Sequence, residues 1–432
     1  MDNNALKILE KYNFVFFDPS ISIGGAPILF SKVAELLLKN GLTVTILGDE
    51  NSYINKYLND KNLNFNKIEV SEDSKYHSSK NDFFILSLSF IVLSKRYIDF
   101  NENSRLFFWD LHPYALIETL GLSKFHKIFT NKFLIACLKF LERPYINKMR
   151  NAIQTGHEKG GIHFMCYRNF LTNKDLFSLN FSPDYLPIPI KIDKPINYIK
   201  NKNHLCWISR LDNDKTNILK LLIDDVIQYN NNNIDKLTLH IIGDGNSVEY
   251  VKKITSGYNN YFLLPGMLSG NQLSEYLINN QIQIGFAMGT SALEFASRKI
   301  ATVLVPNTTE KDFYFNKRSR YLWIYDSYGY DVAVERFHFN DKILCSFDEI
   351  MKGKNNNDVL SYEYVLHTHS ENIIFPKLMA KIEQNKLSFL DLEKSGIFDL
   401  SFLHKLKSNC KLMLELLTLP GHKVKHKKLI FV

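Results

Sequence analysis

Residues Gln281–Pro306, QIQIGFAMGTSALEFASRKIATVLVP, decide the fold. An apolar run from Ile282 to Ala287 leads into the small-residue turn Met288-Gly289-Thr290-Ser291. A helical pattern opens at Ala292-Leu293-Glu294, and a second apolar run covers Ala301 to Val305. Short apolar runs alternating with helical segments mark a parallel α/β sheet. A turn of Gly, Thr and Ser at a helix N-terminus leaves backbone N–H groups without acceptors and aimed at one spot, which favours an anion such as a diphosphate. Glu294 sits one turn inside, within reach of the hydroxyls of a sugar attached to that diphosphate. Ser291-Ala292-Leu293-Glu294 also fits S-x-x-E, a capping box in which serine and glutamate satisfy each other's backbone donors. The stretch alone leaves both readings open.

The alternation continues on both sides. Upstream, a strand at Asn13–Phe17 runs into a loop ending in Gly24-Gly25, then a helix from Ala26 to Lys39 and a strand at Leu42–Leu47. Further strands are expected at Phe83–Phe90, Arg105–Trp109 and Ile162–Cys166, with helical periodicity at Asn131–Leu141. A second series starts with a strand at His204–Ser209, a helix at Asn217–Gln228 and a strand at Lys236–Ile242. It goes on through helix Ser247–Thr255, strand Tyr261–Leu264 and helix Asn271–Asn279 into the opening stretch. Between the two series, Leu186–Pro195 carries three prolines in ten residues, which favours an extended connection.

The expected architecture is therefore α/β, with two Rossmann-like domains facing a cleft. The divisions are 1–188, 196–360, a helical region at 361–400 with one helix from Ser361 through Ala380, and a basic amphipathic tail at 401–432. Open parallel sheets bind ligands at the carboxyl ends of their strands, which here face the cleft.

Composition narrows the function classes. A chain of 432 residues is too long for one ordinary core, and 45% hydrophobic with 23% charged residues describes a folded protein. The net charge of +8 is mild for this length. Seven lysines (Lys405, Lys407, Lys411, Lys423, Lys425, Lys427 and Lys428) stand against the single Glu415 in the last 32 residues. Nucleic acid is not an expected partner. Five scattered cysteines without a C-x-x-C pair suggest reduced thiols in a cytosolic protein. The start, MDNNALKILEKY, lacks the pattern of a signal peptide. The longest apolar stretch, Phe83–Ser94, has 12 residues, short of the roughly 18 that span a bilayer. The expected location is cytoplasmic, soluble or peripheral.

Four separated pieces follow expected strands: Gly24-Gly25, Arg210 to Lys215, Gly243-Asp244-Gly245, and Gly289 to Glu294. Arg210 and Lys215 would supply the positive charge that a departing nucleotide diphosphate needs. His112, in Phe108-Trp109-Asp110-Leu111-His112-Pro113, follows a first-domain strand and either reaches the cleft or merely orders a proline loop. Asp212-Asn213-Asp214 spells D-x-D but lies inside the Arg–Lys loop, so no metal site is assigned. His367 and His369 diverge on a helix and make a poor metal pair. No Walker A loop, H-E-x-x-H or G-x-S-x-G elbow is present, and no G-x-G-x-x-G follows the first strand.

With these residues in line, the chain resembles the retaining glycosyltransferases of the GT-B fold, especially the family-4 group. Gly24-Gly25-Ala26 matches that family's G-G-A, and Arg210, Leu211 and Lys215 match R-L-x-x-x-K. Gly243-Asp244-Gly245 matches G-D-G, Pro265-Gly266 matches P-G, and Ser291, Leu293, Glu294 and Ala296 match S-x-L-E-x-A. The likeness covers roughly residues 12 to 306. It implies that Arg210 and Lys215 hold the donor diphosphate with the Gly289-Thr290-Ser291 turn, and that Glu294 holds the ribose. Met267 and Leu268 would lie near the base, and Gly24 and Gly25 would admit the phosphates and acceptor. It further implies that His112 contacts the donor sugar and that no cofactor is required. One departure stands out: the family's first glutamate, eight positions before Glu294, is Phe286 here.

The expected activity is a retaining, metal-independent transfer of a sugar from a UDP- or GDP-linked nucleotide sugar to a glycan or lipid-linked acceptor. Heavy Lys, Ile and Asn usage suggests an AT-rich bacterial genome, and with it surface polysaccharide or lipopolysaccharide synthesis. The alternatives are a catalytically silent GT-B subunit supporting a partner enzyme, motivated by Phe286, and a nucleotide-sugar epimerase. Residues 401–432 would hold the protein at an anionic membrane surface; the rival reading is a helix packed back on the body with a solvated basic end.

Overall fold

The computed structural model describes residues 7–18, 24–116, 132–192, 201–258, 260–306, 319–335, 338, 343–353 and 356–398; the tail at 401–432 lies outside them. The first series gives β1 (Asn13–Asp18), β2 (Thr43–Gly48), β3 (Asn66–Ile68), β4 (Tyr76–His77), β5 (Asp82–Ser87), β6 (Ile98–Asp99), β7 (Arg105–Asp110) and β8 (Ile162–Phe164). Six of these form a parallel sheet in the order β3-β2-β1-β5-β7-β8, while β4 and β6 pair in a sheet of their own. The second series gives β9 (Asn201–Ile208), β10 (Thr238–Ile242), β11 (Phe262–Gly266), β12 (Ile282–Ala287), β13 (Ala301–Leu304), β14 (Ser319–Trp323) and β15 (Cys345–Ser346). They run in the order β11-β10-β9-β12-β13-β14-β15, parallel through β13 and antiparallel for the last two.

The reason is visible in β1. Phe14, Val15, Phe16 and Phe17 are all fully buried, as a central parallel strand covered on both faces requires. Val15 and Phe17 face the Arg143–Glu158 and Tyr167–Phe177 helices, whereas Phe14 and Phe16 face the Gly25–Lys39 and Tyr53–Asp60 helices. The second sheet is sandwiched likewise. The Asn213–Asn232 helix covers one face, and the Gly270–Asn279 and Thr290–Ser297 helices cover the other.

Two expectations need correction. The strand expected to run to Phe90 stops at Ser87, where the chain tightens into a 3₁₀ turn, Leu88–Phe90. The single helix from Ser361 through Ala380 is two helices, Asn357–Thr368 and Glu371–Gln384. The linker causes the break. Ile190 donates its N–H to the His369 carbonyl at 2.7 Å and accepts from the Glu371 N–H at 3.0 Å, so Ser370 between them is held extended as a one-residue bridge. Beyond it, Ile374, Leu378 and Ile382 pack against Phe14 and Phe107 of the first sheet, and Phe389 and Leu392 pack beneath its other face. The chain thus crosses between the domains twice, and both crossings meet at Ile190.

Candidate functional site

The carboxyl ends of β9, β10, β11 and β12 lie side by side, and the sequence-derived donor residues follow those four strands. The loop after β9 carries Arg210 and Asp212, which pair at 3.3 Å with the arginine side chain largely exposed. Lys215 sits in the first turn of the Asn213–Asn232 helix, and its Nζ reaches Met288 Sδ at 3.0 Å. A cation from the end of β9 thereby stands at the turn after β12.

That turn is open. Gly289, the residue before the Thr290–Ser297 helix, has φ +64°, and a Cβ there would meet nothing within 4 Å. The first-turn N–H groups of a helix have no intrahelical acceptors, so those of Thr290 and Ser291 are available to an anion. The capping box does not form, because the helix begins two residues too early for Ser291 to be its N-cap. Glu294 is half-exposed and its carboxylate is instead paired with the buried Arg298 guanidinium, which Ser274 also holds through Nε at 3.1 Å.

The Gly243-Asp244-Gly245 turn is closed. A Cβ on Gly243 would collide with the Ser209 carbonyl oxygen, and one on Gly245 would lie 2.8 Å from that of Leu211. Leu211 N–H donates to Asp244 O at 2.9 Å, Ser247 N–H to Leu211 O at 2.8 Å, and Gly243 N–H to Gly266 O at 3.0 Å. These glycines fasten the Arg210 loop. Beyond Gly266, Met267 is exposed and Leu268 is half-buried at the same edge.

Phe286 lies inside β12, paired with Trp207 and Val303, not in a loop. Its ring is fully buried against Tyr321 at 5.4 Å and Phe347 at 6.0 Å. β12 extends through this position, so a buried ring stands where the resemblance expects a carboxylate.

On the first sheet, Gly24 precedes the Gly25–Lys39 helix, and a Cβ on Gly25 would meet nothing within 4 Å. His112 is exposed just after β7. Its Nδ1 accepts the Tyr114 N–H at 3.2 Å, which leaves the proton of the neutral ring on Nε2. Asp110 is fully buried and donates nothing to the cleft. Its carboxylate accepts from Asn173 Nδ2 at 2.9 Å and from the His112 N–H at 3.4 Å, while burial pushes its pKa well above the usual range. A cavity of about 440 Å³ opens at the carboxyl ends of β1 and β2, with Phe17 and Tyr97 as apolar walls and Asp49, Glu69, Ser71 and Ser74 as polar ones. Sequence reading missed it, because Asp49 and Glu69 belong to different strand ends with no shared pattern. Among the described residues no group of three His, Cys, Asp or Glu is placed to hold a metal, and no helix is long and apolar enough to cross a membrane.

No family model and no curated protein matches the chain. Solved structures do. The apo form of the lipopolysaccharide outer core galactosyltransferase WaaB superposes with a TM-score of 0.50 at 12% identity, covering 87% of this chain and 100% of that one. HepE from Anabaena in complex with UDP gives 0.45 at 12% identity, covering 94% and 100%. TarM gives 0.43 at 13% identity, covering 76% of this chain and 57% of TarM, so the chain spans little more than half of TarM's length. With its two largely parallel α/β sheets, its paired crossings and its match along the whole of WaaB, the chain has the GT-B fold of the glycosyltransferases.

Proposed function

We propose that this protein is a retaining, metal-independent glycosyltransferase that moves a sugar from a UDP- or GDP-linked donor to a glycan or lipid-linked acceptor in bacterial surface polysaccharide or lipopolysaccharide synthesis. One juxtaposition supports this above the rest. The Lys215 ammonium lies 3.0 Å from Met288 Sδ, so a cation, two helix N-termini and an open glycine turn meet at one sheet edge. In this reading 1–188 is the acceptor-side unit and 196–360 the donor unit, with 361–400 returning to the first sheet.

The donor diphosphate takes the edge between Arg210, Lys215 and the Thr290 and Ser291 N–H groups. As the bond from the anomeric carbon to the diphosphate oxygen breaks, the electron pair stays on that oxygen, and these groups stabilise it. The acceptor oxygen bonds to the same face of the anomeric carbon and passes its proton to the departing phosphate. Glu294, oriented by Arg298, receives the ribose hydroxyls, Met267 and Leu268 flank the base, and His112 donates from Nε2 to the donor sugar. Gly243 and Gly245 serve the donor indirectly by fixing the Arg210 loop. The acidic, aromatic-walled cavity at the carboxyl ends of β1 and β2 is the acceptor side.

A second reading, a catalytically silent subunit that binds nucleotide sugar for a partner, is favoured by the burial of Phe286 where the family has a carboxylate. One assay separates the readings. The purified protein is incubated with a panel of nucleotide sugars, with and without glycan or lipid-linked acceptors, and free nucleotide is followed. Acceptor-dependent release supports transfer. Binding without release supports the silent subunit, and release from donor alone supports an epimerase. The membrane role of 401–432 is tested by liposome sedimentation of the full and truncated chains; equal binding overturns it.

A further inference from the structure

The two halves of the site are tied together by groups that the chemistry above does not use. The loop after β14 leaves the second sheet, where Val332 and Val334 are buried in its core, and docks on the N-terminus of the first domain's Tyr167–Phe177 helix. Tyr167 N–H donates to Gly329 O at 2.8 Å and Arg168 N–H to Asp331 Oδ1 at 3.0 Å. A carboxylate from one domain therefore caps a helix of the other, the favourable arrangement for a negative group at that end. Arg168 Nε also meets Glu335 at 3.2 Å.

The contact joins the reacting edges by a short chain of bonds. On one side Val332 O, next to Asp331, accepts the Gly289 N–H at 2.7 Å, which fixes the turn proposed for the diphosphate. On the other, Arg168 Nη2 donates to the Tyr114 hydroxyl at 3.2 Å, and the Tyr114 N–H holds His112 Nδ1. We propose that Asp331 is a positioning residue, a proton-dependent latch that sets the Gly289 turn of the donor domain against the His112 loop of the acceptor domain. The link to turnover rests on the transferase reading; the latch itself does not.

The proton dependence follows from burial. Asp331 is 1% exposed and its Oδ2 finds no hydrogen-bond partner. Desolvation raises its pKa to about 7 against the opposing pull of the Arg168 N–H, the Cys166 thiol and the Arg168 charge. Among the described residues, the other titratable groups around it are Cys166, Tyr185 and Tyr364, all held protonated by burial, Tyr167 and Arg168 on the helix it caps, and Tyr328, Tyr330, Glu335 and His338 of its own loop. Undocked and solvated, the carboxyl would titrate near its usual value of about 4. Between about pH 4 and 7 the docked form therefore holds a proton that the undocked form has lost. Docking is strongest at the acid end and weakens as pH rises through 7, by about tenfold between pH 6 and pH 8.

Hydrogen exchange of the Tyr167 and Arg168 amides in the full-length protein, corrected for intrinsic rates, tests this without any assay of transfer. In the wild type, protection should fall about tenfold from pH 6 to pH 8. Asp331→Asn, neutral throughout and still an acceptor, should abolish that fall, and Asp331→Ala should lose protection at both pH values. The same pH dependence in Asp331→Asn as in the wild type overturns the latch, and Asp331→Asn keeps the test decisive where Asp331→Ala does not fold. Where transfer is measurable, Asp331→Asn should flatten the pH profile of kcat while the KM for donor stays put. An unaltered profile refutes the link to positioning. Loss of all transfer in the wild type refutes the transferase reading and leaves the exchange result standing.

Discussion

Two glycine turns on one sheet edge, Gly243-Asp244-Gly245 and Met288-Gly289-Thr290, read alike in the sequence and differ in the structure. At Gly243 any side chain would run into the Ser209 carbonyl, because three loops are hydrogen-bonded to one another there. At Gly289 the glycine supplies a left-handed φ and faces empty space. The first glycine is required by the protein and the second leaves room for something else. A glycine at the end of a parallel strand is thus not by itself a mark of ligand contact; what its Cβ would meet decides.

The largest expected effect breaks the closed turn. Gly243→Ala should cost more than about 4 kcal/mol, since backbone and not a flexible side chain must move aside. Urea unfolding followed by tryptophan fluorescence reads it, because Trp207 is buried one strand away. A loss under about 1 kcal/mol would mean that the three loops are not locked, and the contrast between the turns would fall.

Arg210 comes next. Its side chain is mostly exposed and makes one ion pair with Asp212, so Arg210→Ala should leave the unfolding midpoint unchanged. If the open edge takes the leaving diphosphate, kcat should drop roughly 10²–10³-fold, the range for removing one stabiliser of developing charge. Near-normal turnover in that variant would remove the donor site from this edge.

How legible was this in the sequence? The sheets were, because parallel strands buried on both faces read as continuous apolar runs, as at Phe14–Phe17 and Ile282–Ala287. The shared edge of the Arg210, Gly243, Met267 and Gly289 pieces was also legible, since residues that follow successive parallel strands must emerge on one side. Other features depended on partners distant in the chain. Arg168 and Asp331 are 163 residues apart and share no pattern. The break at His369 comes from Ile190 wedged against it, which no helix propensity near Ser361 records. Ser291 and Glu294 had the spacing of a capping box but the wrong phase, because the helix starts from Gly289. Counting eight positions back from Glu294 named Phe286, but nothing in that count records that β12 runs on to Ala287 and buries the ring.

Gly289→Ala probes the open turn. Gly289 has φ +64° and ψ -143°, a conformation close to one reserved for glycine, which costs a residue with a Cβ about 1–3 kcal/mol, and no collision adds to it. The variant should fold, melt a few degrees lower, and lose transfer beyond what that loss of stability explains. A stability loss as large as that of Gly243→Ala would show that the two turns are closed alike.

The smallest effect on stability belongs to Gly25, and it sharpens the comparison most. Gly25 opens a 15-residue helix, its Cβ would touch nothing, and alanine is the better helix former. Gly25→Ala should therefore leave stability within about 0.5 kcal/mol of the wild type, as surface substitutions usually do. A ligand brought against that backbone would meet the new methyl group directly. One methylene in a contact surface is worth about 10–200-fold in discrimination, so KM for donor or acceptor should rise about tenfold or more. The comparison is between two readings of one protein sample, a melting curve and a KM. Unchanged values in both would assign Gly24-Gly25 to helix geometry alone and leave the second sheet's edge, with the open Gly289 turn, to carry the proposed site.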